Sequence, residues 1–327
     1  MESIADVLII AHGGPSVGGG HVSRCFALAE GFASLGVSVK WLVNDHAVEM
    51  LAGRGIDGER ITAAENPFAE NVPPVDLPRA AGRPLICVVD SYEASPQFLA
   101  GLRSACKTVL IDDCRPRPVE RECDILLNYN LNASSLGYES GHAGLLLGPG
   151  YALLRKSFWE LAAGEGNTVL IIPGASDLLN TGRQFTDWWK ADWPKAEIVL
   201  GPLVSPSLAE EIAARSRKLK NFSAVRDPAD LPERLAKSRA VICTSSVTSY
   251  EALSLRKPLA VFQTADNQLE IGREIEKRGL GVNLGPWGRW GVPELRGFLE
   301  NLPPPPKQAV NPGGALKAAE ELLKRAR

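Results

Sequence analysis

The sequence predicts an α/β protein made of two doubly wound domains, each a parallel sheet covered by helices on both faces. The chain has 327 residues, a length that suits two domains of ordinary size. Short apolar runs alternate with amphipathic stretches along nearly the whole chain, and right-handed crossovers turn such alternation into parallel sheets. Apolar residues make up 45% of the chain, so each half can bury its own core.

Each predicted strand is a short apolar run, and each predicted helix is an amphipathic stretch that follows one. In the first half the strands are residues 7–11, 38–43, 85–89, 109–112 and 125–128. In the second half they are residues 168–172, 197–200, 240–244, 259–263 and 281–284. The main helices are predicted over residues 22–35, 96–105, 208–218, 247–255 and 268–278.

A domain boundary is predicted at Gly148-Pro149-Gly150, where Gly and Pro interrupt the pattern before a new apolar strand. The first domain is then 1–150 and the second 151–327, with a last helix over 315–327. That helix could be a frayed tail or could pack back across the cleft between the domains. Residues 1–150 carry 11 Lys+Arg against 18 Asp+Glu, a balance of −7, and the remainder balances at +5. An anionic ligand such as a nucleotide diphosphate is therefore expected in the second domain.

Composition excludes several classes of function. A net charge of −2 gives no broad basic surface for nucleic acid, and no apolar run reaches the ~18 residues that span a bilayer. The six cysteines show no Cys-x-x-Cys spacing, which favours reduced thiols and a cytoplasmic protein. Cys114 and Cys123 near Asp112 and Asp113 are the best metal candidates, but no His is close in sequence. No metal or cofactor is predicted.

The strongest local signal is the glycine-rich loop that follows the first strand and opens the first helix. Gly18, Gly19 and Gly20 let a ligand approach the backbone, and the helix start attracts negative charge. His21 lies at that helix start, where the dipole favours neutral imidazole, so it is a candidate general base. Arg24, one turn later, could hold a phosphate, orient a carboxylate or simply be a solvated helix charge.

Two more strand ends in the first half carry polar groups, namely Asp90 with Tyr92 and Asp112 with Asp113. The carboxyl ends of parallel strands line one crevice, so these carboxylates could orient His21 or bind sugar hydroxyls. Each could equally be the N-cap of the next helix. His12 ends the first strand and could reach the same crevice, whereas His46 and His142 are interpreted as structural or surface residues.

Three polar loops follow strands of the second half and predict a nucleotide site. The candidate residues are Gly174, Ser176 and Asp177 in the first loop, Ser245, Ser246, Thr248, Ser249 and Glu251 in the second, and Asn267 and Gln268 in the third. The hydroxyls suit a phosphate, and Glu251 suits the two hydroxyls of a ribose. A capping box at the second loop would satisfy the same groups without a ligand.

Read together, these motifs resemble the UDP-2,4-diacetamido-2,4,6-trideoxy-β-L-altropyranose hydrolase family of pseudaminic acid biosynthesis and related spore-coat polysaccharide biosynthesis proteins. The matching stretches reach from the first strand to about residue 300 and are Gly20-His21-Val22-Ser23-Arg24-Cys25, Val89-Asp90-Ser91-Tyr92, Leu110-Ile111-Asp112-Asp113, Tyr151-Ala152-Leu153-Leu154-Arg155, Gly174-Ala175-Ser176-Asp177 and Ala265-Asp266-Asn267-Gln268. The resemblance implies a GT-B fold, with two domains facing across a cleft and UDP in the second.

The resemblance also implies site residues and a reaction. His21 would be the general base for water that attacks the anomeric carbon of an activated amino or deoxy sugar, and no metal is implied. The implied substrate-binding residues are Gly19, Gly20, Arg24, Asp90, Tyr92, Asp113, Tyr151 and Arg155. The expected function is a nucleotide-sugar hydrolase; a GT-B glycosyltransferase and a non-catalytic nucleotide-sugar binding protein are the alternatives. The sugar, the base and the oligomeric state stay open.

Overall fold

A computed structural model describes residues 6–14, 17–69, 85–113, 122–138, 144–177 and 179–326. The chain divides into two compact units, Met1–Lys156 with Gly313–Arg327, and Ser157–Pro312. The division corrects the sequence prediction in one respect, because the last helix belongs to the first unit and not to the second. Pro15, Ser16, Cys114 and His142 lie outside the described residues.

The first unit contains a parallel sheet in the order β3-β2-β1-β4-β5-β6-β7. Its strands are β1 Asp6–Ala11, β2 Val39–Val43, β3 Ile61–Ala63, β4 Leu85–Asp90, β5 Lys107–Ile111, β6 Ile125–Asn128 and β7 Gly144–Leu147. Its helices are α1 Gly20–Ser34, α2 Asp45–Ala52, α3 Pro96–Arg103 and α10 Gly314–Ala326. The central strands are buried on both faces, as their continuous apolar runs predict.

The last helix joins the first unit because it packs closely on α1. A side chain added at Gly31 would place its Cβ 2.6 Å from the carbonyl oxygen of Ala315 and 3.2 Å from Cβ of Ala319. Gly314 is equally tight against the backbone of Ala152. Only glycine permits this approach of the two helix backbones.

We expect Gly31→Ala to destabilise the protein by about 1–3 kcal/mol, because one methyl overfills the α1–α10 contact. Gly101 in α3 is the matched control, since its Cβ would meet nothing within 4 Å. Gly101→Ala should be neutral or stabilising by about 0.5–1 kcal/mol through helix propensity. Urea denaturation measures both, and equal effects of the two substitutions would contradict the close packing.

The second unit contains a parallel sheet in the order β10-β9-β8-β11-β12-β13. Its strands are β8 Thr168–Ile172, β9 Lys195–Leu200, β10 Phe222–Arg226, β11 Ala240–Thr244, β12 Leu259–Gln263 and β13 Val282–Pro286. Its helices are α4 Thr181–Trp188, α5 Pro206–Ser216, α6 Leu231–Ala236, α7 Val247–Ser254, α8 Leu269–Lys277 and α9 Val292–Glu300. Phe185, Phe262 and Trp290 lie in its main apolar core. Each unit is thus a doubly wound α/β sheet, as predicted.

Two further findings bear on the class of protein. Across the described ranges, no helix combines the length and the apolar character needed to cross a membrane. Cys25, Cys87, Cys123 and Cys243 are buried free thiols and Cys106 is a half-buried one.

Candidate functional site

The strand order of the first unit puts the loops after β1 and β4 side by side. From β1 the chain builds outward through β2 and β3, and it returns to the other side of β1 with β4. The carboxyl ends of β1 and β4 therefore flank a switch point, which is where ligands bind in open α/β sheets. His12 and the glycine-rich loop follow β1, and Asp90 ends β4.

The glycine-rich loop is closed on itself and exposes backbone at the start of α1. Gly14 and Gly18 exchange two backbone hydrogen bonds of 3.1 and 2.7 Å, and Gly18 has a φ of 75°. A Cβ at Gly18 or Gly20 would meet nothing within 4 Å, so a ligand could come close to the chain there. Gly19 is the N-cap of α1, and no side chain caps this helix end.

His21 is held by a buried carboxylate. Its Nδ1 lies 2.7 Å from Oδ1 of Asp90, and both side chains are almost fully buried. The Asp90 carboxylate lies beside the Arg24 guanidinium, and the pKa of Asp90 is held well below its ordinary value despite the opposing effect of burial. Nδ1 of His21 also lies 3.1 Å from Nη2 of Arg24, but the 2.7 Å contact with Asp90 is the shorter of the two. Because an ionised carboxylate can only accept hydrogen bonds, we place the proton of neutral His21 on Nδ1. Nε2 is then the lone-pair nitrogen and can accept a proton.

Arg24 donates hydrogen bonds to two carboxylates. Its Nε and Nη2 donate to Asp90 over 2.5 Å each, and its Nη1 donates to Asp113 over 2.5 Å. Arg24 is itself buried, and the two carboxylates raise its pKa well above the ordinary value against the opposing effect of burial. Of the roles predicted for Arg24, the geometry matches orientation of a carboxylate and not the binding of phosphate, because its donors are already engaged.

Tyr92 and Asp113 complete the His21 cluster, which we define as His21, Arg24, Asp90, Tyr92 and Asp113. Tyr92 donates to Oδ1 of Asp113 over 2.5 Å, and its ring meets the His21 ring edge-on with 5.0 Å between centroids. Tyr92 is 42% exposed, whereas the other members are buried or half-buried. Two carboxylates and one guanidinium give the cluster a formal charge of −1.

His12 packs beside His21, as its position at the end of β1 predicts. The two ring centroids are 5.3 Å apart, and the His12 ring meets Phe68 edge-on at 5.1 Å. Nε2 of His12 lies 3.4 Å from Oγ of Ser91. Burial lowers the pKa of His12, and the neighbouring His21 adds to that effect, so His12 is uncharged at neutral pH.

The second unit has a switch point of its own between β8 and β11. Gly174 and Ser176 follow β8, and Ser245 and Ser246 follow β11. Ser246 is the N-cap of α7, but its side chain makes no capping hydrogen bond to the helix, and its Oγ lies 3.0 Å from Oγ1 of Thr244. The predicted alternative, a capping box, is therefore not formed. The start of α7 keeps its attraction for an anion.

The neighbouring helix α4 is different, because Asp177 caps it. The Asp177 carboxylate accepts from the backbone N–H of Thr181 at 2.8 Å, from its hydroxyl at 2.7 Å and from the N–H of Gly182 at 2.9 Å. The sequence predicted Asp177 as a nucleotide contact; the structure engages its carboxylate in holding the loop before α4.

Further polar side chains surround the turn between β11 and α7. Glu251 is buried in α7, and Ser249 donates to the carbonyl of Ser246 over 2.7 Å. Gln263, which the sequence analysis missed, donates to Oγ of Ser245 over 2.8 Å and to Oδ1 of Asn283 over 2.9 Å. A polar side chain ending the otherwise apolar strand β12 is the signal that could have identified it.

The remaining predicted residues interact with other parts of the chain or stabilise loops. The Tyr151 ring lies under the Lys317 ammonium of α10, 4.6 Å from the centroid. Arg155 acts electrostatically on Glu30, which is nine residues after His21 on α1, about 13 Å along the helix. Gln268 accepts from the backbone N–H of Thr264 at 2.9 Å, whereas Asn267 is exposed and Thr248 is half-buried in the first turn of α7. Tyr151 contacts Lys317 and Arg155 interacts with Glu30, so the approach of these two residues to His21 stays a prediction.

The described residues offer no metal site. Within the part of the chain that the structure describes, no three His, Cys, Asp or Glu side chains are grouped so that they could hold a metal ion. Asp112, one of the candidates from the sequence, accepts instead from the hydroxyl of Tyr138 over 2.7 Å.

Comparison with known proteins identifies the fold. No family model matches the chain, and no curated protein matches it. S. aureus MnaA in a co-structure with UDP has a TM-score of 0.65 at 14% identity, over 98% of this chain and 95% of that one. Acinetobacter baumannii MurG gives 0.62 at 13% identity, over 98% and 99% of the two chains. CalG4, the calicheamicin glycosyltransferase, gives 0.58 at 12% identity, over 98% and 95%.

These likenesses, together with the two all-parallel sheets, give the chain the two-domain GT-B fold. That confirms the fold class that the sequence predicts. The resemblance to the hydrolase family is not confirmed at the level of the family, since the structural neighbours share the fold and little sequence.

Proposed function

We propose that the chain is an enzyme that processes a UDP-sugar and transfers the sugar to an acceptor hydroxyl or amine. The observation that carries the proposal is the 2.7 Å hydrogen bond between His21 and the buried Asp90, at the switch point of the first unit. It assigns the basic nitrogen of His21 to the end of the ring that faces away from Asp90. The UDP in MnaA and the glycosyltransferase CalG4, both of this fold, support the choice of substrate class and reaction.

In the proposed mechanism the second unit binds the nucleotide. The diphosphate interacts with the uncapped start of α7, where backbone N–H groups and the hydroxyls of Ser246 and Thr248 can donate. Glu251 accepts hydrogen bonds from the ribose hydroxyls. These donors stabilise the negative charge that develops on UDP as it leaves.

In the first unit His21 activates the nucleophile. As the acceptor oxygen or nitrogen bonds to the anomeric carbon, its proton moves to Nε2 of His21. The bond between the anomeric carbon and the phosphate oxygen breaks, and its electron pair leaves with UDP. Asp90, bonded to Nδ1, stabilises the resulting imidazolium, as the −1 charge of the His21 cluster favours.

Hydrolysis is the second candidate, with water as the nucleophile and the same residues in the same roles. The stretch from Gly20 to Arg24, which resembles the hydrolase family, favours it. The experiment is to follow UDP release from UDP-N-acetylglucosamine and UDP-glucose with and without glucose or glucosamine as acceptor. Release that requires the acceptor supports transfer, and equal release without it supports hydrolysis. UDP binding with no turnover of either donor would contradict an enzymatic role.

The nucleotide half of the proposal has its own test. We expect Glu251→Gln to weaken UDP binding about tenfold or more, because a charged hydrogen bond to the ribose is replaced by a neutral one. Glu276→Gln, at an exposed glutamate of α8, is the matched control and should leave the affinity unchanged. Isothermal titration with UDP measures both, and less than a twofold change for Glu251→Gln would remove Glu251 from the site.

A further inference from the structure

The first unit contains a pocket that the proposed reaction does not yet use. It has a volume of about 650 Å³, which is in the range of small-molecule sites. Its walls come from the segments that follow β1, β2 and β3, together with Glu93 after β4. It therefore lies at the carboxyl edge of the sheet, mainly beside β1, β2 and β3, and Glu93 reaches it from the β4 side.

The charged side chains that line this pocket favour one sign of ligand charge. Its polar side chains are His12, Asn44, His46, Glu65, Asn66 and Glu93, and among the described lining residues none is Lys or Arg. The carboxylates of Glu65 and Glu93 disfavour anions and favour cations, and His12 lies 3.8 Å from Glu93. The pocket is thus suited to a molecule without phosphate or carboxylate groups.

Two of these side chains are structural. Asn44 accepts from the N–H of Gly13 at 3.1 Å and donates to its carbonyl at 2.9 Å, which fixes the end of β1. Asn66 accepts from the N–H of Phe68 at 2.9 Å, and Phe68 packs on His12. These contacts pre-form the wall, so that the imidazoles and the carboxylates are the groups available to a ligand.

His12 connects the pocket with the His21 cluster. It lines the pocket, is 6% exposed and lies ring to ring with His21 at 5.3 Å. Its Nε2 is paired with Ser91, which leaves Nδ1 to exchange a hydrogen bond with a hydroxyl group of a ligand. Glu93, 3.8 Å from Nδ1 of His12, and Glu65 add carboxylate acceptors.

We propose that this pocket binds a small polyhydroxylated molecule that is neutral or, preferably, carries a protonated amine, and that His12 contacts it. We identify this molecule with the acceptor of the sugar, and that identification rests on the proposed function. The binding of the molecule to the pocket does not depend on the proposed function. The two carboxylates disfavour a phosphorylated acceptor. His46, interpreted from the sequence as structural or surface, then becomes a ligand contact.

The test uses the full chain without any nucleotide, so that it is independent of turnover. The sequence has only four histidines, and selective ¹³C labelling of their Cε1 gives a simple spectrum that single His→Gln variants assign. Glucosamine, glucose and glucose 6-phosphate are titrated separately. We expect saturable shifts of the His12 and His46 signals with glucosamine and glucose, about fivefold tighter for glucosamine, and none with glucose 6-phosphate.

Variants show whether the preference for glucosamine comes from the pocket carboxylates or whether any loss of a carboxylate removes it. Glu65→Gln combined with Glu93→Gln should remove the preference for glucosamine over glucose. Glu59→Gln, at an exposed carboxylate outside the pocket lining, should keep it. Sugar binding in a protein that turns over no donor would uphold the pocket and contradict the proposed function. Unchanged His12 and His46 signals with both sugars, or glucose 6-phosphate binding as tightly as glucosamine, would overturn the proposal.

Discussion

Replacing His21 by Ala is expected to lower kcat for UDP release by about 10²–10⁴-fold, the usual contribution of a positioned general base. KM should change little, because in the proposed mechanism the nucleotide is bound by the second unit. The measurement is steady-state UDP release from whichever UDP-sugar the wild type turns over.

The control for His21→Ala is the affinity for UDP, which should stay within twofold of the wild type if the two units have separate roles. Thermal unfolding confirms that the variant is folded. Activity within a few-fold of the wild type, in a folded variant with normal UDP binding, would exclude His21 as the base.

The second large effect is expected from Asp90→Asn. The amide cannot stabilise the imidazolium or enforce the Nδ1–H tautomer, so kcat should fall by about 10²–10⁴-fold. Stability should also fall, by about 3 kcal/mol, because Arg24 stays buried with Asp113 as its remaining carboxylate partner in the cluster. Kinetics and urea denaturation at neutral pH measure the two effects.

The stability effect of Asp90 has a defined pH dependence. Its pKa in the folded protein is held below the ordinary value of 3.8, chiefly by Arg24 acting against burial. The ionised form therefore contributes stability above that ordinary value, and the contribution is lost as the pH falls below it toward the lowered pKa. The stability difference between wild type and Asp90→Asn should be constant near neutral pH and shrink below about pH 4. A difference that grows in acid would contradict the ion pair.

The sequence predicted the central strands well because their burial on both faces leaves continuous apolar runs. It missed β3, β7 and β10, which are edge strands. β3 has three residues, β7 is a short Gly-Leu-Leu-Leu run, and β10 mixes polar and apolar residues over Phe222–Arg226. It also missed α4, whose stretch Thr181–Trp188 is poor in strong helix formers and depends on the Asp177 cap and on tertiary packing.

For the site, the sequence could predict which residues share a sheet edge but not how they pair. Strand ends placed His21, Asp90 and Asp113 together, as the structure does. Arg24 pairs with two carboxylates, Asp90 and Asp113, that follow different strands. Whether one side chain can contact both depends on its conformation, which the spacing of these residues in the sequence does not reveal. The place of the last helix depends on the close contact at Gly31, and it was wrongly given to the second domain.

The pocket beside His12 could not be predicted, because it is formed by segments from four different strand ends. His46 and Glu65 are far apart in sequence, and neither belongs to a motif. Their placement around one cavity follows only from the strand order β3-β2-β1-β4.

The central claim is that Asp90 fixes the proton of neutral His21 on Nδ1 and leaves Nε2 basic. Nitrogen-15 NMR of the labelled histidines, at a pH where His21 is neutral, tests it without any substrate. We expect Nδ1 of His21 to have the shift of a protonated ring nitrogen and Nε2 that of an unprotonated one, and we expect Asp90→Asn to mix the two tautomers. A protonated Nε2 in the neutral wild-type ring would contradict the assignment of His21 as the base.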